Sequence, residues 1–426
     1  MVARNPALIV RCADVADVQT AVRAAAGCGL NPAVRCGGHS LAGFSSCEGG
    51  VVIDLMRLRS VAVDETSRRA RAAGGCLLGS VDSATQKAGL VFPAGVVSHT
   101  GASGLILGGG TGWLTRLFGL SCDNVAGFTL VAADGSLVRA SAADNPELFW
   151  ALRGGGGNFG IVTEFELQLY PLTSVMIGNA FLAGDDIFSL VRYWREFMSA
   201  APEELKWNLN LRVAPDCPGV PAEARGRPVL SQTVVWFGAA EPGQEMLDHI
   251  FSLGTPVGVT RETISFLKLQ TMADAEFPHG RRYYTKSGYF RSLGDDSIES
   301  MIASLDSVPP GHTQIELAYL GGAAARVGAS ETAFGDRSAP FIMNLLADWE
   351  DAESDAANVA WVRALFAKLR PAMKPGVYVN FMSADEPERV AEAYGGLWER
   401  LVAVKTHYDP KNFFRLNQNI PPNVSL

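Results

Sequence analysis

Apolar residues recur with two different periods along this chain, and the switches between them mark its elements. In ADVADVQTAVRAAAGCGL, Val15, Val18, Val22 and Ala25 fall on one helical face, Asp14 stands at the N-cap, and Gly27 and Gly29 supply the stop. NPAVR reads as a short strand running into Gly37-Gly38, and GVVIDL as a buried strand. SVAVDETSRRARAAGG reads as two strands joined by a polar turn at residues 65–67. LLGSVDSATQKAGL is a second amphipathic helix, closed by Gly89. AGFTLVAADGSLVRAS predicts a hairpin turning at Asp134-Gly135. DNPELFWAL predicts a short helix capped by Asp144 or Asn145, with Pro146 in its first turn, and IVTEFELQLY the next strand.

Beyond Pro171 the texture changes. Glycine clusters thin out, and the long helical segment DDIFSLVRYWREFMSAAP alternates with the strands PVLSQTVVWFG, HTQIELAYLGG and PGVYVNFM. The predicted organisation is a cofactor-binding domain over 1–175 and a substrate domain over 176–384. A C-terminal segment, 385–426, ends in a helix and an irregular tail that returns to the first domain.

Composition narrows the function. The 426 residues are 48% hydrophobic and 19% charged, enough for a sizeable core and against disorder. A net charge of −8 without a long basic run argues against nucleic acid and anionic membranes as partners. Apolar stretches fall short of the roughly 18 residues of a membrane span, and the N-terminus lacks a signal pattern, so a cytoplasmic protein is expected. Seven cysteines (12, 28, 36, 47, 76, 122 and 217) form no CxxC or Cys/His metal spacing. Neither a disulfide framework nor a metal site is expected.

The chemistry concentrates in three glycine clusters, Gly37-Gly38, Gly108-Gly109-Gly110 and residues 154–157. Any one alone is an ordinary turn. Three in one α/β region favour a large phosphate-bearing cofactor, because glycine lets backbone amides approach an anion closely. No GxxxxGK[ST] occurs, and no glycine set opens a helix with a later ribose-binding acid, so neither a P-loop nor a Rossmann site is read. One of only six histidines, His39, directly follows Gly37-Gly38. It could be a base, a metal ligand, a point of covalent attachment or a polar loop residue.

The stretches VRCGGHSLAGFSS, GLILGGGTGWLTRLFGLSCDNVAG, ELFWALRGGGGNFGIVTEFELQLYPL and YDPKNFFRLNQNI resemble the berberine-bridge-enzyme-like FAD-linked oxidases. These belong to the vanillyl-alcohol-oxidase / para-cresol-methylhydroxylase superfamily, and the likeness runs over essentially the whole chain in motif order. Relatives carry additional chain ahead of the segment matching RNPALIV. The resemblance implies an α+β, two-domain FAD-binding PCMH-type fold, whose substrate domain is an antiparallel sheet covered by helices. It implies an oxidase that takes hydride from a C–H beside OH or N to flavin N5, with O2 as electron acceptor and H2O2 as product. Sugars, alkaloids, phenols and polyketides are the substrate classes, and a monomer or homodimer is expected. The rival readings are a dehydrogenase using another acceptor and a non-catalytic flavin-binding paralogue.

The resemblance also assigns residues. Position 39 matches the histidine bonded to the flavin 8α-methyl carbon, and Cys122 in GLSCDN is matched to a second bond at flavin C6. Arg35, Cys36, Gly37, Gly38 and Ser40 are implied as a pyrophosphate cradle. Ser98, Thr100, Gly101, Gly104, Gly108 and Gly109 are implied along the isoalloxazine and ribityl chain. Asn158, Gly160 and Val162 match adenine- and ribityl-side contacts, and Asn417 and Asn419 match tail residues near the ring. Thr100 stands where relatives gate O2: a valine-sized side chain admits it and leucine blocks it. Alternation puts Tyr378 and Asn380 on one strand face, and Gln314 and Glu316 on another. Relatives use a tyrosine at the position of Tyr378 as proton acceptor, sometimes with a carboxylate such as Glu316. Because tyrosine ionises near about 10, that role needs a depressing environment. Tyr284, Lys286 and Tyr289 are implied at the border of the substrate cavity, and Asn208 and Asn210 are further candidates for its wall.

Overall fold

The computed structural model describes residues 2–184, 186–216, 220–309 and 311–423. Met1, Asp185 at the head of one expected helix, and Cys217 among the counted cysteines lie outside them. The first expected helix forms over Val15–Gly27, where the Asp14 side chain accepts the Asp17 amide. Its buried face, Val18, Ala21, Val22 and Ala25, packs with Val51 and Ile53. Those two belong to a parallel sheet ordered Leu8–Arg11, Val51–Asp54, Pro32–Arg35. A five-stranded antiparallel sheet follows, ordered Val61–Asp64, Arg69–Ala73, Ile161–Gln168, Val125–Val131, Leu137–Ser141. Its last hairpin turns at Asp134-Gly135, with Gly135 at φ +79° and the Ser136 amide on the Asp134 carboxylate.

The remaining large sheet has seven antiparallel strands. Their order is Val257–Ser265, Ser174–Leu182, Pro228–Trp236, Leu205–Val213, Gln314–Tyr319, Phe341–Trp349, Arg282–Phe290. One face is covered by helices: Leu190 and Trp194 of Asp186–Phe197, Leu247 of Ala240–Phe251 and Val362 of Asp355–Leu369 bury Trp207, Leu209, Ile315 and Leu345. Those sheet residues are odd-numbered. The period of two therefore sends even-numbered Lys206, Asn208, Asn210, Gln314, Glu316 and Asn344 to the opposite face, which lines a cavity.

The tail packs beside the start of strand Ile161–Gln168, and a buried lysine fixes it. The Lys405 ammonium on helix Trp398–Tyr408 donates to the Asn158 carbonyl at 2.8 Å, the Asp409 carboxylate at 2.6 Å and the Phe414 carbonyl at 3.0 Å. Three acceptors are what a fully buried ammonium requires.

One expected strand is corrected. PGVYVNFM does not pair into the sheet; Val379–Phe381 forms a single 3-10 turn, with the Phe381 amide on the Tyr378 carbonyl at 2.9 Å. The segment crosses over the second glycine cluster instead. A Cβ on Gly108 would lie 2.1 Å from the Asn380 side-chain oxygen, so glycine there leaves the room that the Asn380 side chain occupies.

The two halves also meet at Asp82, buried on helix Leu78–Thr85. Burial, opposed by the side chain of Gln270, pushes its carboxyl up to about 8. An unfolded aspartate ionises near about 4, so between these values the native state keeps a proton that the unfolded chain has lost. Stability of the ligand-free protein is then expected to fall as pH rises through that window, by at most about 4 kcal/mol at neutrality. Asp82→Asn should flatten this slope in thermal unfolding followed from pH 4.5 to 8. A wild-type melting temperature indifferent to pH over that range would contradict it.

Candidate functional site

Between the first domain and the polar sheet face lies a cavity of about 1450 Å³. Its first-domain wall is built by two loops in backbone contact. A Cβ on Gly37 would meet the Gly101 amide nitrogen at 2.3 Å, and one on Gly101 would meet the Gly37 nitrogen at 2.4 Å. Glycine at both positions lets the His39 loop close on the loop carrying Thr100. Arg35, Cys36, Gly37, Gly38, His39 and Ser40 all line the cavity, as do Thr100, Gly101 and Gly104. Gly160, Val162 and Asn417 line it from the second sheet and the tail.

The sheet face supplies polar groups in rows set by strand register. Asn179, Thr233 and Asn208 lie opposite one another on successive strands, with the Thr233 hydroxyl on the Asn179 side-chain oxygen at 2.9 Å. In the next row Asn210, Glu316, Asn344 and Ser287 align. There Asn344 Nδ2 donates to Glu316 Oε2 at 2.7 Å, and the Ser287 hydroxyl to Asn344 Oδ1 at 2.8 Å. Asn208 Oδ1, Gln314 Oε1 and Asn417 Oδ1 are buried without a hydrogen-bond partner, although their residues line the cavity. Such groups are costly unless a ligand or water satisfies them.

Tyr378 stands where sheet and glycine cluster meet. Its hydroxyl oxygen accepts the amides of Gly110 at 2.9 Å and Thr111 at 3.3 Å, and Asn380 Nδ2 at 2.8 Å. The turn that replaced the expected strand still brings Tyr378 and Asn380 together. Burial pushes the phenol up, while the three donors pull it down; the net shift is upward. His39 shifts the other way. Burial first, then His99 and His279, lower it to about 4, so its imidazole is neutral at physiological pH.

Several expected residues do not reach the cavity wall. Cys122 is fully buried, its Sγ 3.6 Å from Asp123 Oδ1 beside the buried Asp123–Arg337 ion pair. Burial, then Asp123, raises its thiol well above the usual range, the reverse of what thiolate chemistry needs. Ser98 turns instead to Asp274, its hydroxyl donating at 2.6 Å. Gly108 and Gly109 lie under Asn380, Phe334 and Tyr378. Asn158 clamps the tail: its Nδ2 donates to the Gln418 carbonyl at 3.1 Å and its Oδ1 accepts the Ile420 amide at 3.0 Å. Asn419 is off the wall, with Oδ1 buried and unpartnered.

On strand Arg282–Phe290 two of the three implied residues, Tyr284 and Lys286, face away from the cavity. Tyr284 bonds Asp385 at 2.7 Å, and Lys286 bridges Asp385 and Glu386 at 3.2 Å each, away from the cavity. Their neighbours Tyr283 and Thr285 line it. Tyr289 packs in a buried cluster with Tyr378 and Cys122. Conversely, Lys206 was not singled out, although it shares the alternation of Asn208 and Asn210. It is buried on the cavity wall, and burial lowers its ammonium to about 8 against the opposing pull of Glu316.

One domain's glycine loops floor the cavity and the other's polar sheet roofs it, leaving room for a large ligand between them. The sequence profile described as FAD binding domain matches residues 6–141, and the one described as berberine and berberine like matches 377–421. An FAD-linked oxidoreductase of Dictyostelium discoideum is 32% identical, over 99% of this chain and 90% of its own. (R)-6-hydroxynicotine oxidase of Paenarthrobacter nicotinovorans is 31% identical over 99% and 92%. Among solved structures, 6-hydroxy-D-nicotine oxidase from Arthrobacter nicotinovorans superposes with TM-score 0.88 at 30% identity, covering 99% of this chain and 93% of that one. The chain belongs to the berberine-bridge-enzyme-like family of FAD-linked oxidoreductases. Among the described residues no helix is long and apolar enough to cross a membrane.

Proposed function

We propose that the protein is an oxidase with FAD held covalently through His39, acting on a C–H beside the OH or N of a small organic molecule. The observation that carries this reading is one cavity bordered by both the neutral His39 imidazole and the Tyr378 hydroxyl. The donor set fits FAD: backbone around Gly37, Gly38 and Ser40 for the pyrophosphate, and the unpartnered Asn417 oxygen on the tail side. When bound, FAD supplies the two-electron acceptor and passes the electrons to O2, giving H2O2.

The chain's own residues position the substrate and take its proton. Asn208, Asn210 and Gln314 orient polar groups from the sheet face. The Tyr378 oxygen accepts the substrate's hydroxyl or amine proton, and the donors from Gly110, Thr111 and Asn380 stabilise the negative charge it must first carry. Glu316, anchored by Asn344, is the second candidate acceptor on the same wall. The proposal rests on the His39 tether alone, since the Cys122 sulfur lies in a buried cluster with Tyr378 rather than on the wall. Aerobic turnover of a panel of sugars, alkaloids, phenols and polyketides with peroxide detection tests the reading. Substrate-dependent reduction without peroxide would turn it into the dehydrogenase.

Thr100 lines the cavity, and its carbonyl is fixed by the Leu78 amide at 3.0 Å. As the proposed oxygen gate it has close to valine's volume. Thr100→Leu is expected to slow reoxidation of the reduced protein in air and leave anaerobic reduction by substrate nearly intact. Stopped-flow reoxidation indifferent to the leucine would remove the gate.

A further inference from the structure

Three of the six histidines converge at one point, where His39 and His279 line the cavity and His99 stands beside them. His39 follows the Gly37-Gly38 turn, His99 lies in the loop that Gly101 presses against it, and His279 precedes strand Arg282–Phe290 of the other domain. Their ring centroids lie 4.7, 5.0 and 4.9 Å apart, and one ligand atom from each falls within 4.8 Å of the others. His39 Nε2 and His99 Nδ1 share a hydrogen bond of 2.7 Å.

We propose that His39, His99 and His279 form a binding site for a divalent transition cation in the flavin-free protein, and that the cation and covalent flavin exclude each other. The donor set selects the cation class. Three imidazoles suit Zn²⁺, Co²⁺, Ni²⁺ or Cu²⁺ and offer little to Mg²⁺ or Ca²⁺. Three protein ligands with a fourth position left to water is a common zinc arrangement. Zn–N bonds of about 2.0–2.1 Å in a tetrahedron set the nitrogens about 3.4 Å apart. The His39–His99 pair must therefore part by less than about 1 Å and His279 close in by a somewhat larger amount. All three lie outside regular strands and helices, where such shifts break no ladder. His39 and His99 are half-buried and His279 is exposed, so the cation has a path from solvent.

The surrounding charges are mixed. Asp274, held by the Ser98 amide and hydroxyl at 2.7 and 2.6 Å, acts on His39 with the favourable sign. Arg35 acts on His279 with the unfavourable one. Binding uses neutral imidazoles, as the lowered values of His39 and His279 allow. The proton between His39 and His99 moves to the other nitrogen of the ring that carries it, so coordination bonds replace one hydrogen bond and metal-bound waters leave. No oxidant or reductant is required. Exclusion follows because both partners need the His39 imidazole; that half alone rests on the tether reading above.

The test is a cobalt titration of full-length protein made under riboflavin depletion. One equivalent of Co²⁺ should give visible d–d absorption of low-symmetry imidazole coordination, and Zn²⁺ should bleach it. His99→Gln and His279→Gln should each weaken binding at least tenfold, while His249→Gln, a histidine bonded to Tyr193, should leave it unchanged. Zinc-loaded wild type should then acquire no acid-stable flavin on incubation with FAD until EDTA is added. Absence of the cobalt band in wild type, or a band unaffected by both the His99 and His279 variants, overturns the site. Flavin attachment at an equal rate with and without zinc overturns the exclusion. If metal-free protein also fails to attach flavin, the tether reading falls, and the cobalt result still judges the site.

Discussion

Reduction of the enzyme-bound flavin by substrate is expected to slow by roughly 10²- to 10⁴-fold in Tyr378→Phe, the usual worth of general-base catalysis. The phenylalanine keeps the ring between Phe334 and Phe381 and removes only the oxygen. It also leaves the Gly110 and Thr111 amides and Asn380 Nδ2 without their shared acceptor, at a cost to stability of about 1–3 kcal/mol. Retained acid-stable flavin therefore serves as the control for folding. The pH dependence has a definite sign. Burial raises the Tyr378 phenol, so the wild-type reduction rate should climb with pH on the alkaline side as the phenolate fraction grows. The variant should lose that limb. Anaerobic stopped-flow reduction with unchanged rate and pH profile would move proton acceptance to Glu316.

The second large effect is on attachment itself. His39→Ala should release all flavin on acid precipitation, leaving a colourless pellet, because the proposed bond is to that imidazole alone. Cys122→Ala should leave the pellet as yellow as wild type. A pellet that stays yellow in His39→Ala and loses colour only in the double variant would restore the second tether. Under the proposed tether, burial keeps the attacking His39 imidazole unprotonated, so flavin incorporation should persist at mildly acidic pH, down towards about 4.

Local pattern made most of the fold legible. Helix Val15–Gly27 and the Asp134-Gly135 hairpin follow from caps, turn residues and period. The misses have physical causes. PGVYVNFM has strand composition, but its backbone is spent on crossing the glycine cluster, a tertiary demand that alternation cannot reveal. Resemblance carried the segment of Tyr284 and Lys286 to the cavity border without fixing which strand face lines it, and Tyr283 and Thr285 are the ones that do. Lys206 carried a usable signal, two residues before Asn208 on the same face, and it is buried there. For His99 and His279 there was no signal at all: 60 and 240 positions separate them from His39, and only the fold brings them together.

The account stands most directly on how the reduced protein meets oxygen. Wild-type enzyme reduced anaerobically by its substrate, or by dithionite, is mixed with air-saturated buffer while the visible flavin band and peroxide are followed together. The account predicts rapid, complete return of the band with one H2O2 released per flavin, from protein whose flavin stays in the acid pellet. A band that stays bleached in air and returns only with an added quinone, or flavin found free in the supernatant, would contradict it.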